Sequence, residues 1–209
     1  MKILQGLLSA IAAGFCIGLG GAVFLLQSEK LVGALLFCVG LYTICEMQFH
    51  LFTGQVCYAL EQPLWSWFRF PLIWIGNWLG AGLAASLLGL TRVGPAARQA
   101  ALVLVAGKNG DTFLSLFILG FFCNIFVYIA VEGYKTFPLA LGKYLAIFVG
   151  ITVFIMSGYE HSVADMFYYF MAGQMDQEAL VRLLVITGGN ICGGLTAWGA
   201  RQAARKAAG

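Results

Sequence analysis

The hydrophobic residues of this 209-residue chain form long runs that charged residues interrupt at wide intervals. Four stretches contain no charged side chain: those between Lys2 and Glu29, Arg69 and Arg92, Asp111 and Glu132, and Arg182 and Arg201. Each stretch can hold a helix of about 20 residues, the length that crosses the hydrocarbon core of a bilayer. The pattern therefore predicts an integral membrane protein whose spans are helical.

The runs divide into six predicted membrane-spanning segments. Their approximate bounds are 4–26, 31–60, 71–90, 112–131, 138–172 and 179–200. The second and fifth segments are too long for one straight crossing and are interrupted, at Leu51-Phe52-Thr53-Gly54 and at Ser157-Gly158-Tyr159-Glu160-His161-Ser162. Because lipid cannot satisfy the backbone groups that an interruption frees, both segments are predicted to be broken helices lining a cavity. The polar residues 91–111 are expected to form the longest loop.

The two halves of the chain resemble each other, and we interpret residues 1–91 and 108–201 as two repeats within one domain, 1–209. Gly14-Phe15-Cys16 pairs with Gly120-Phe121-Phe122-Cys123, and Gly76-Asn77 pairs with Gly189-Asn190. Three segments per repeat is an odd number, so the second copy must be inverted in the membrane. The sequence thus predicts an all-α protein with a 3+3 inverted repeat, whose binding site lies where the two broken helices meet.

Composition supports a membrane protein and removes several other classes. Hydrophobic residues make up 61% of the chain and charged residues 10%, against about a quarter in soluble domains. The net charge of +3 is scattered, which gives no reason to expect a nucleic-acid partner. The six cysteines match no disulfide or metal-binding spacing, so we expect no metal and no cofactor. Seven basic residues against five favour both termini in the cytoplasm.

The candidate chemistry centres on the two interruptions. Ionisable residues at membrane depth usually face a protein interior or a water path, which singles out Glu160 and His161. The second half of each broken helix should present a partly positive N-terminus with several free N–H groups, an arrangement that favours small anions. Thr53 adds a hydroxyl, and His161 is the group expected to titrate near neutral pH, with Glu160 as its neighbour.

Two lysines are candidates for the mouths of a pore. Lys2 precedes Gly14 by 12 positions, and Lys108 precedes Gly120 by the same number. In an inverted repeat, equivalent residues lie on opposite sides of the membrane. Lys2 and Lys108 are therefore expected to draw anions toward the two ends of the pore.

Two other classes of function remain open at this point. An intramembrane enzyme could use His161 and Glu160 as acid and base, although the sequence shows no partnered nucleophile. A metal path could use His50, Glu46 and His161, although positive half-helix ends would disfavour cations. A transport protein explains both interruptions and the repeat at once.

These residues also resemble those of the formate/nitrite transporter family. The resemblance is carried by residues 157–167 around His161, by Leu51-Phe52-Thr53-Gly54, by Gly189-Asn190-Ile191-Cys192-Gly193-Gly194, and by Lys108 through Asn124. It implies a homopentamer in the bacterial plasma membrane, in which each protomer is an aquaporin-like bundle with its own pore. It also implies small monovalent weak-acid anions as substrates, such as formate, nitrite, hydrosulfide, short carboxylates and bicarbonate.

The resemblance further implies roles for individual residues. His161 would be the central pore histidine and Thr53 the threonine of the first helix break, while Lys108 would be a vestibule lysine. Asn124 and Asn190 would be pore asparagines. The apolar constrictions would be formed by Leu51, Phe52, Val127 and Phe154. The chain departs from the family at His50, where an acidic residue is common, and at Gln55 and Gln5.

From these observations we expect a passive or proton-coupled channel for a small weak-acid anion, with formate and nitrite first and hydrosulfide next. The anion would cross either as the neutral acid or paired with a protonated His161. The sequence leaves both routes open.

Overall fold

The structure, a computed structural model, describes residues 2–208 and the side chains of residues 3–207. These residues form nine α-helices, two single 3-10 turns and no strand. The helices are α1 (Lys2–Leu25), α2 (Lys30–Met47), α3 (Phe52–Val56), α4 (Arg69–Gly89), α5 (Gly94–Asn109), α6 (Phe113–Thr136), α7 (Ala140–Met156), α8 (Ser162–Ala172) and α9 (Gln177–Ala208). The predicted all-α class is confirmed.

The outer surface of the helices is apolar. In α4, one face exposes Leu72, Ile75, Leu79, Leu83 and Leu87, whereas the opposite face buries small residues. A stripe of exposed leucines at helical spacing suits lipid and would be unusual on a protein in water. Five helices of the described part are long and apolar enough to cross a membrane, and α7 is a shorter apolar helix.

Residues 91–111, expected to be a loop, instead contain the four-turn helix α5. Its Pro95 lies in the first turn, where proline is tolerated, and two of its four buried residues are alanines spaced for a helix. Ala97, Ala101 and Val105 face inward, and α5 packs against α8. The loop prediction was wrong because charged residues on the outer face of an amphipathic helix resemble a polar linker. The helix places Lys108 in its last turn.

Two pairs of helices form the centre of the bundle, since α1 packs along α4 and α6 packs along α9. Glycines permit the close approach in both pairs. A side chain at Gly80 would collide with the carbonyl of Ile11, and one at Gly193 would collide with the carbonyl of Phe121. The two pairs are therefore built alike. Around them, α2 packs against α7, and α8 packs against α4.

The matching contacts of Gly80 and Gly193 show that the predicted pairing of residues between the two repeats was wrong. Ile11 corresponds to Phe121 in these contacts, so Gly120 is equivalent to Ala10 and not to Gly14. The difference is one helical turn, because glycines recur about every fourth residue on the packing face of α1. The equal spacing of Lys2 and Lys108 from Gly14 and Gly120 is therefore no sign of symmetry. The side chain of Lys2 lies outside the described residues.

Candidate functional site

The chain is interrupted in the same way at two places. Helix α2 ends at Met47 and is followed by Gln48, and α7 ends at Met156 and is followed by Ser157-Gly158. Gln48 and Gly158 both adopt left-handed backbone conformations, with φ of 55° and 70°. One residue further on, the amide of Phe49 donates to the carbonyl of Ile44, and the amide of Tyr159 donates to the carbonyl of Phe154, each over 3.0 Å.

An asparagine holds the first interruption in place. The Oδ1 atom of Asn77 accepts a bond from the amide of Phe52, the first residue of α3, over 2.8 Å. The Nδ2 atom of Asn77 donates to the carbonyls of Ala10 and His50 over 2.8 and 2.9 Å. Asn77 is completely buried, so it links α1, α4 and the interruption inside the protein.

A second asparagine repeats this arrangement at the other interruption. The Oδ1 atom of Asn190 accepts from the amide of Ser162, the first residue of α8, over 3.0 Å. Its Nδ2 atom donates to the carbonyls of Gly120 and Glu160 over 2.8 and 2.9 Å. The three backbone partners of Asn190 are those of Asn77 shifted by 110 positions. By this shift Leu51 and His161 occupy equivalent positions, directly before α3 and α8.

These contacts change the expected source of anion stabilisation. The first amides of α3 and α8 were expected to be free, but Asn77 and Asn190 accept their bonds. The amide of Ala164, two residues further into α8, donates to the Nδ1 atom of His161 over 3.1 Å. In addition, α3 has only five residues, too few to build a helix dipole of the usual size. Fewer amides are thus free at these two helix starts than the sequence analysis expected.

The two interruptions meet at Thr53 and His161. The Oγ1 atom of Thr53 lies 2.8 Å from the Nε2 atom of His161, and both side chains are buried. The imidazole stacks on the ring of Phe154, with centroids 5.7 Å apart and planes inclined by 16°. Asn124 supports this pair from α6, because its Nδ2 atom donates to the backbone carbonyl of Thr53 over 3.1 Å.

The hydrogen bonds determine the tautomer of a neutral His161. Because Nδ1 accepts from the amide of Ala164, the ring proton must be on Nε2, which then donates to the oxygen of Thr53. The hydroxyl proton of Thr53 is left free to be donated to another group. A second proton on the imidazole would have to occupy Nδ1, and it would remove the cap of α8.

A cavity of about 200 Å³, the first vestibule, leads to this pair from the side of α5. His161 and Phe154 lie on its inner wall, and Lys30 and Lys108 also line it. Lys30 donates to the carbonyl of Met156, at the C-terminal end of α7, over 3.3 Å.

Lys108 forms a buried ion-pair cluster in the first vestibule. Its ammonium contacts the carboxylate of Glu160 and lies 2.8 Å from that of Asp165. The ring of Tyr168 lies 5.9 Å from the same nitrogen. Burial disfavours the ammonium, but attraction by Asp165 and Glu160 outweighs this and raises the pKa of Lys108 above its ordinary value. Lys108 is therefore charged at physiological pH, and Glu160 bonds to it rather than to the imidazole of His161.

Two further cavities of about 500 Å³ each open on the side of the Thr53–His161 pair opposite the first vestibule. We call these two cavities together the second vestibule. Gln55 and Lys135 line both cavities. Leu51 and Gly54 lie on the inner wall of one of them. Thr53 and His161 are thus buried between the two vestibules.

The four residues predicted to form constrictions are all buried, but they do not lie together. Phe154 lines the first vestibule, Leu51 lines the second, and both share an apolar cluster with Val127. Phe52 points elsewhere, into a separate cluster with Ala10, Val56, Ala59 and Ile73. The structure therefore separates Phe52 from the other three, because residues 51 and 52 at the start of a helix point in different directions.

The residues considered for a metal path do not meet. Glu46 lines the second vestibule, His161 lines the first, and His50 lines a third cavity beside α1 and α4. Within the described residues, no group of three or more His, Cys, Asp or Glu side chains could hold a metal ion.

Sequence reasoning missed Asp165 and Tyr168 as partners of Lys108. A signal was present, since Asp165 and Tyr168 follow Glu160 and His161 at spacings that place them on one face of a short helix. The missing information was that α5 is a helix whose last turn ends over this face. Asn77 was noted only as half of a repeated Gly-Asn pair, and its bonds to the interruption were not foreseen.

Comparison with known proteins gives relatives along most of the chain. The formate channel FocA of Haemophilus influenzae is 27% identical over 183 residues, which cover 77% of this chain and 63% of that protein. A Bacillus subtilis protein, the uncharacterized transporter YrhG, is 32% identical over 150 residues, covering 66% and 56%. A probable formate transporter of Methanothermobacter thermautotrophicus is 28% identical over 221 residues, covering 90% and 78%. The chain thus spans less than two thirds of the first two relatives.

Solved structures and a family match agree with these relatives. A pentameric formate channel with formate bound has a TM-score of 0.82 at 24% identity and covers 96% of both chains. An ion channel of the FNT family has a TM-score of 0.81 at 26% identity, covering 95% of this chain and 89% of its own. The family model described as "Formate/nitrite transporter" matches residues 1–202. The chain therefore belongs to the formate/nitrite transporter family.

Proposed function

We propose that the protein is a channel for small monovalent anions of weak acids, with formate or nitrite as the first candidates. The observation that carries this proposal is the buried pair of Thr53 and His161, which lies between two vestibules in a chain of this family. Hydrosulfide and short carboxylates or bicarbonate are the alternative substrates of the same pore. The family match and the position of the Thr53–His161 pair between two cavities support a channel over an intramembrane enzyme.

The assembly and topology form part of the proposal. A solved relative is a pentameric channel, which supports a homopentamer here. The matching asparagine contacts at Asn77 and Asn190 support a 3+3 inverted repeat with six crossings, in which α2 with α3 and α7 with α8 are the broken ones. Arg69, Lys135 and Arg205 share one vestibule, and Lys30 and Lys108 share the other. This grouping supports the predicted sorting of basic residues to two sides, with both termini in the cytoplasm of a bacterial cell.

The proposed mechanism has three steps. An anion enters a vestibule whose cations offset the cost of leaving water. Leu51, Val127 and Phe154 then penalise its passage as a bare ion, because an unpaired charge in an apolar region costs several kcal/mol or more. At the centre, the free hydroxyl proton of Thr53 is donated to an oxygen or sulfur atom of the substrate.

The hydrogen bonds of His161 support crossing as the neutral acid. Charging the imidazole would displace the amide of Ala164 from Nδ1, whereas the neutral ring keeps its bond to Thr53. In this route the anion takes up one proton in the entry vestibule and releases it after the crossing. Each anion therefore moves together with one proton, and no net charge crosses the membrane.

The test uses purified protein in liposomes that contain a pH-sensitive dye. Inward gradients of formate, nitrite, hydrosulfide, lactate and bicarbonate are imposed across a range of pH values, with protein-free liposomes as the control for leakage of the free acids. We expect protein-dependent uptake with acidification of the lumen for at least one small anion. An electrogenic current without proton movement would exclude the neutral-acid route, and no uptake of any of these anions would reject the channel. In the variant H161N, a changed pH dependence of uptake would favour the alternative route through a protonated His161.

A further inference from the structure

The two vestibules differ in how their lysines are paired with acids. In the first, Lys30 and Lys108 face Glu160 and Asp165, so two cations meet two carboxylates. Lys108 is paired with both acids, which offset its charge, whereas Lys30 bonds the backbone carbonyl of Met156. The lysine that sequence reasoning placed at this mouth is therefore largely neutralised.

The second vestibule holds three cations and three acids in its two cavities. Glu46 and Lys135 line one cavity, whereas Arg69, Lys135 and Arg205 line the other together with two acids, Glu61 and Glu132. Both acids are occupied by donors. The hydroxyl of Tyr58 donates to Glu132 over 2.7 Å and Arg201 lies 2.8 Å from the same carboxylate, while Trp198 and Gln202 donate to Glu61.

Lys135 is the cation best placed to receive a substrate. Its ammonium lies 3.8 Å from the centre of the Tyr58 ring, which orients it by a cation–π contact. None of the ion pairs among the described residues involves Lys135. Lys135 also lines both cavities of this vestibule, including the one that reaches Leu51 and Gly54.

We propose that Lys135, oriented by Tyr58, is a binding site for a small monovalent anion at the mouth opposite Lys108. This inference rests on the proposed function and identifies the residue that collects the substrate on that side. An ion held at Lys135 stands at the entrance of the cavity whose inner wall is formed by Leu51 and Gly54. Glu132 weakens anion binding at this site, because its carboxylate forms ion pairs with Arg201 and Arg205 and offsets their charge.

The experiment measures uptake of radiolabelled formate into proteoliposomes at concentrations well below half-saturation, at low and at high ionic strength. Wild-type protein is compared with Lys135→Gln, Lys135→Arg and Glu132→Gln. The matched control is Lys206→Gln, which removes a lysine that lines neither vestibule. Size-exclusion chromatography verifies that each variant assembles as the wild type does.

Charge near a pore mouth raises the local concentration of an oppositely charged substrate, and salt screens this effect. Lys135→Gln is therefore expected to lower formate uptake at low salt by about threefold to tenfold and to flatten its salt dependence. Lys135→Arg and Lys206→Gln should retain the wild-type uptake at low salt and the wild-type salt dependence. Glu132→Gln should raise uptake at low salt, because it releases the charge of two arginines.

The outcomes separate this inference from the channel proposal. Formate uptake that is normal in wild type and unaltered in both Lys135→Gln and Glu132→Gln would overturn the role of Lys135 and leave the channel intact. Should Lys135→Gln fail to assemble, the uptake of Glu132→Gln at low salt tests the proposal. Higher uptake than wild type supports the anion site, and unchanged or lower uptake overturns it. If wild-type protein takes up neither formate, nitrite nor hydrosulfide above protein-free liposomes, the proposed function fails and the anion site fails with it.

Discussion

The hydroxyl oxygen of Thr53 and the Nε2 atom of His161 lie 2.8 Å apart although 108 residues separate them in the chain. The bond joins the first residues after one interruption to the last residue of the other. It is a direct side-chain bond between the two halves of the protein, and its direction follows from the cap that His161 provides for α8.

Replacing Thr53 tests whether its hydroxyl serves the substrate. Thr53→Val keeps the shape of the side chain and removes its donor, so formate flux in proteoliposomes should fall by about tenfold or more, equivalent to about 1.4 kcal/mol in the barrier. Thr53→Ser keeps the hydroxyl and should retain most of the flux. Equal flux in the valine and serine variants would show that the hydroxyl plays no part in transport.

The asparagines of the two interruptions should be essential for stability. Asn77→Leu and Asn190→Leu each leave three buried backbone groups without a partner, and each such group costs about 1–3 kcal/mol. We expect large decreases in the thermal midpoint of the protein in detergent, of similar size for both variants. Asn109→Leu is the control, since Asn109 bonds Gln174 and Tyr169 near the surface. A decrease as small as that of the control would contradict the role of these asparagines in holding the interruptions in place.

The stability of the protein should fall when the ion-pair cluster of Lys108 loses one member, and it should fall less when all three charges are removed. Lys108→Met leaves Glu160 and Asp165 buried without a cation, and breaking such a cluster costs about 3–5 kcal/mol. The triple variant Lys108→Met, Glu160→Gln, Asp165→Asn carries no buried charge there and should recover much of the stability. Thermal unfolding of both proteins measures this difference. A triple variant less stable than the single one would mean that the charges themselves hold α5 on α8.

The left-handed residues of the two interruptions make a matched pair for substitution. Gly158→Ala forces a side chain into a conformation with φ of 70° and should lower stability by about 1–2 kcal/mol. Gln48→Gly, at the equivalent position, relieves the same strain and should change stability by less than about 1 kcal/mol. Thermal midpoints measured side by side would reveal the asymmetry. The reverse order of effects would show that the two loops are not equivalent.

The sequence predicted the features that depend on local pattern. The apolar runs predicted the helices, and the polar residues from Ser157 to Ser162 correctly marked the end of α7 and the start of α8. The Gly-Asn pairs were matched in the sequence, and in the structure Asn77 and Asn190 make matching contacts.

Features that depend on distant contacts could not be predicted in this way. Lys108 meets Glu160 and Asp165 only because α5 is a helix, and charge on one face concealed that helix in a single sequence. The register of the repeat was wrong by one turn because the glycines of α1 recur at helical spacing. Lys135 and Tyr58 belong to different halves of the chain, so their contact could not be predicted from the sequence.

The equivalence of Leu51 and His161 means that the backbone is duplicated while its chemistry is not. One repeat presents an apolar side chain at this position, and the other presents an imidazole that caps α8. Leu51→His would place an imidazole at both equivalent positions. If the asymmetry is needed for transport, this variant should take up less formate than the wild type, and unchanged uptake would show that it is not needed.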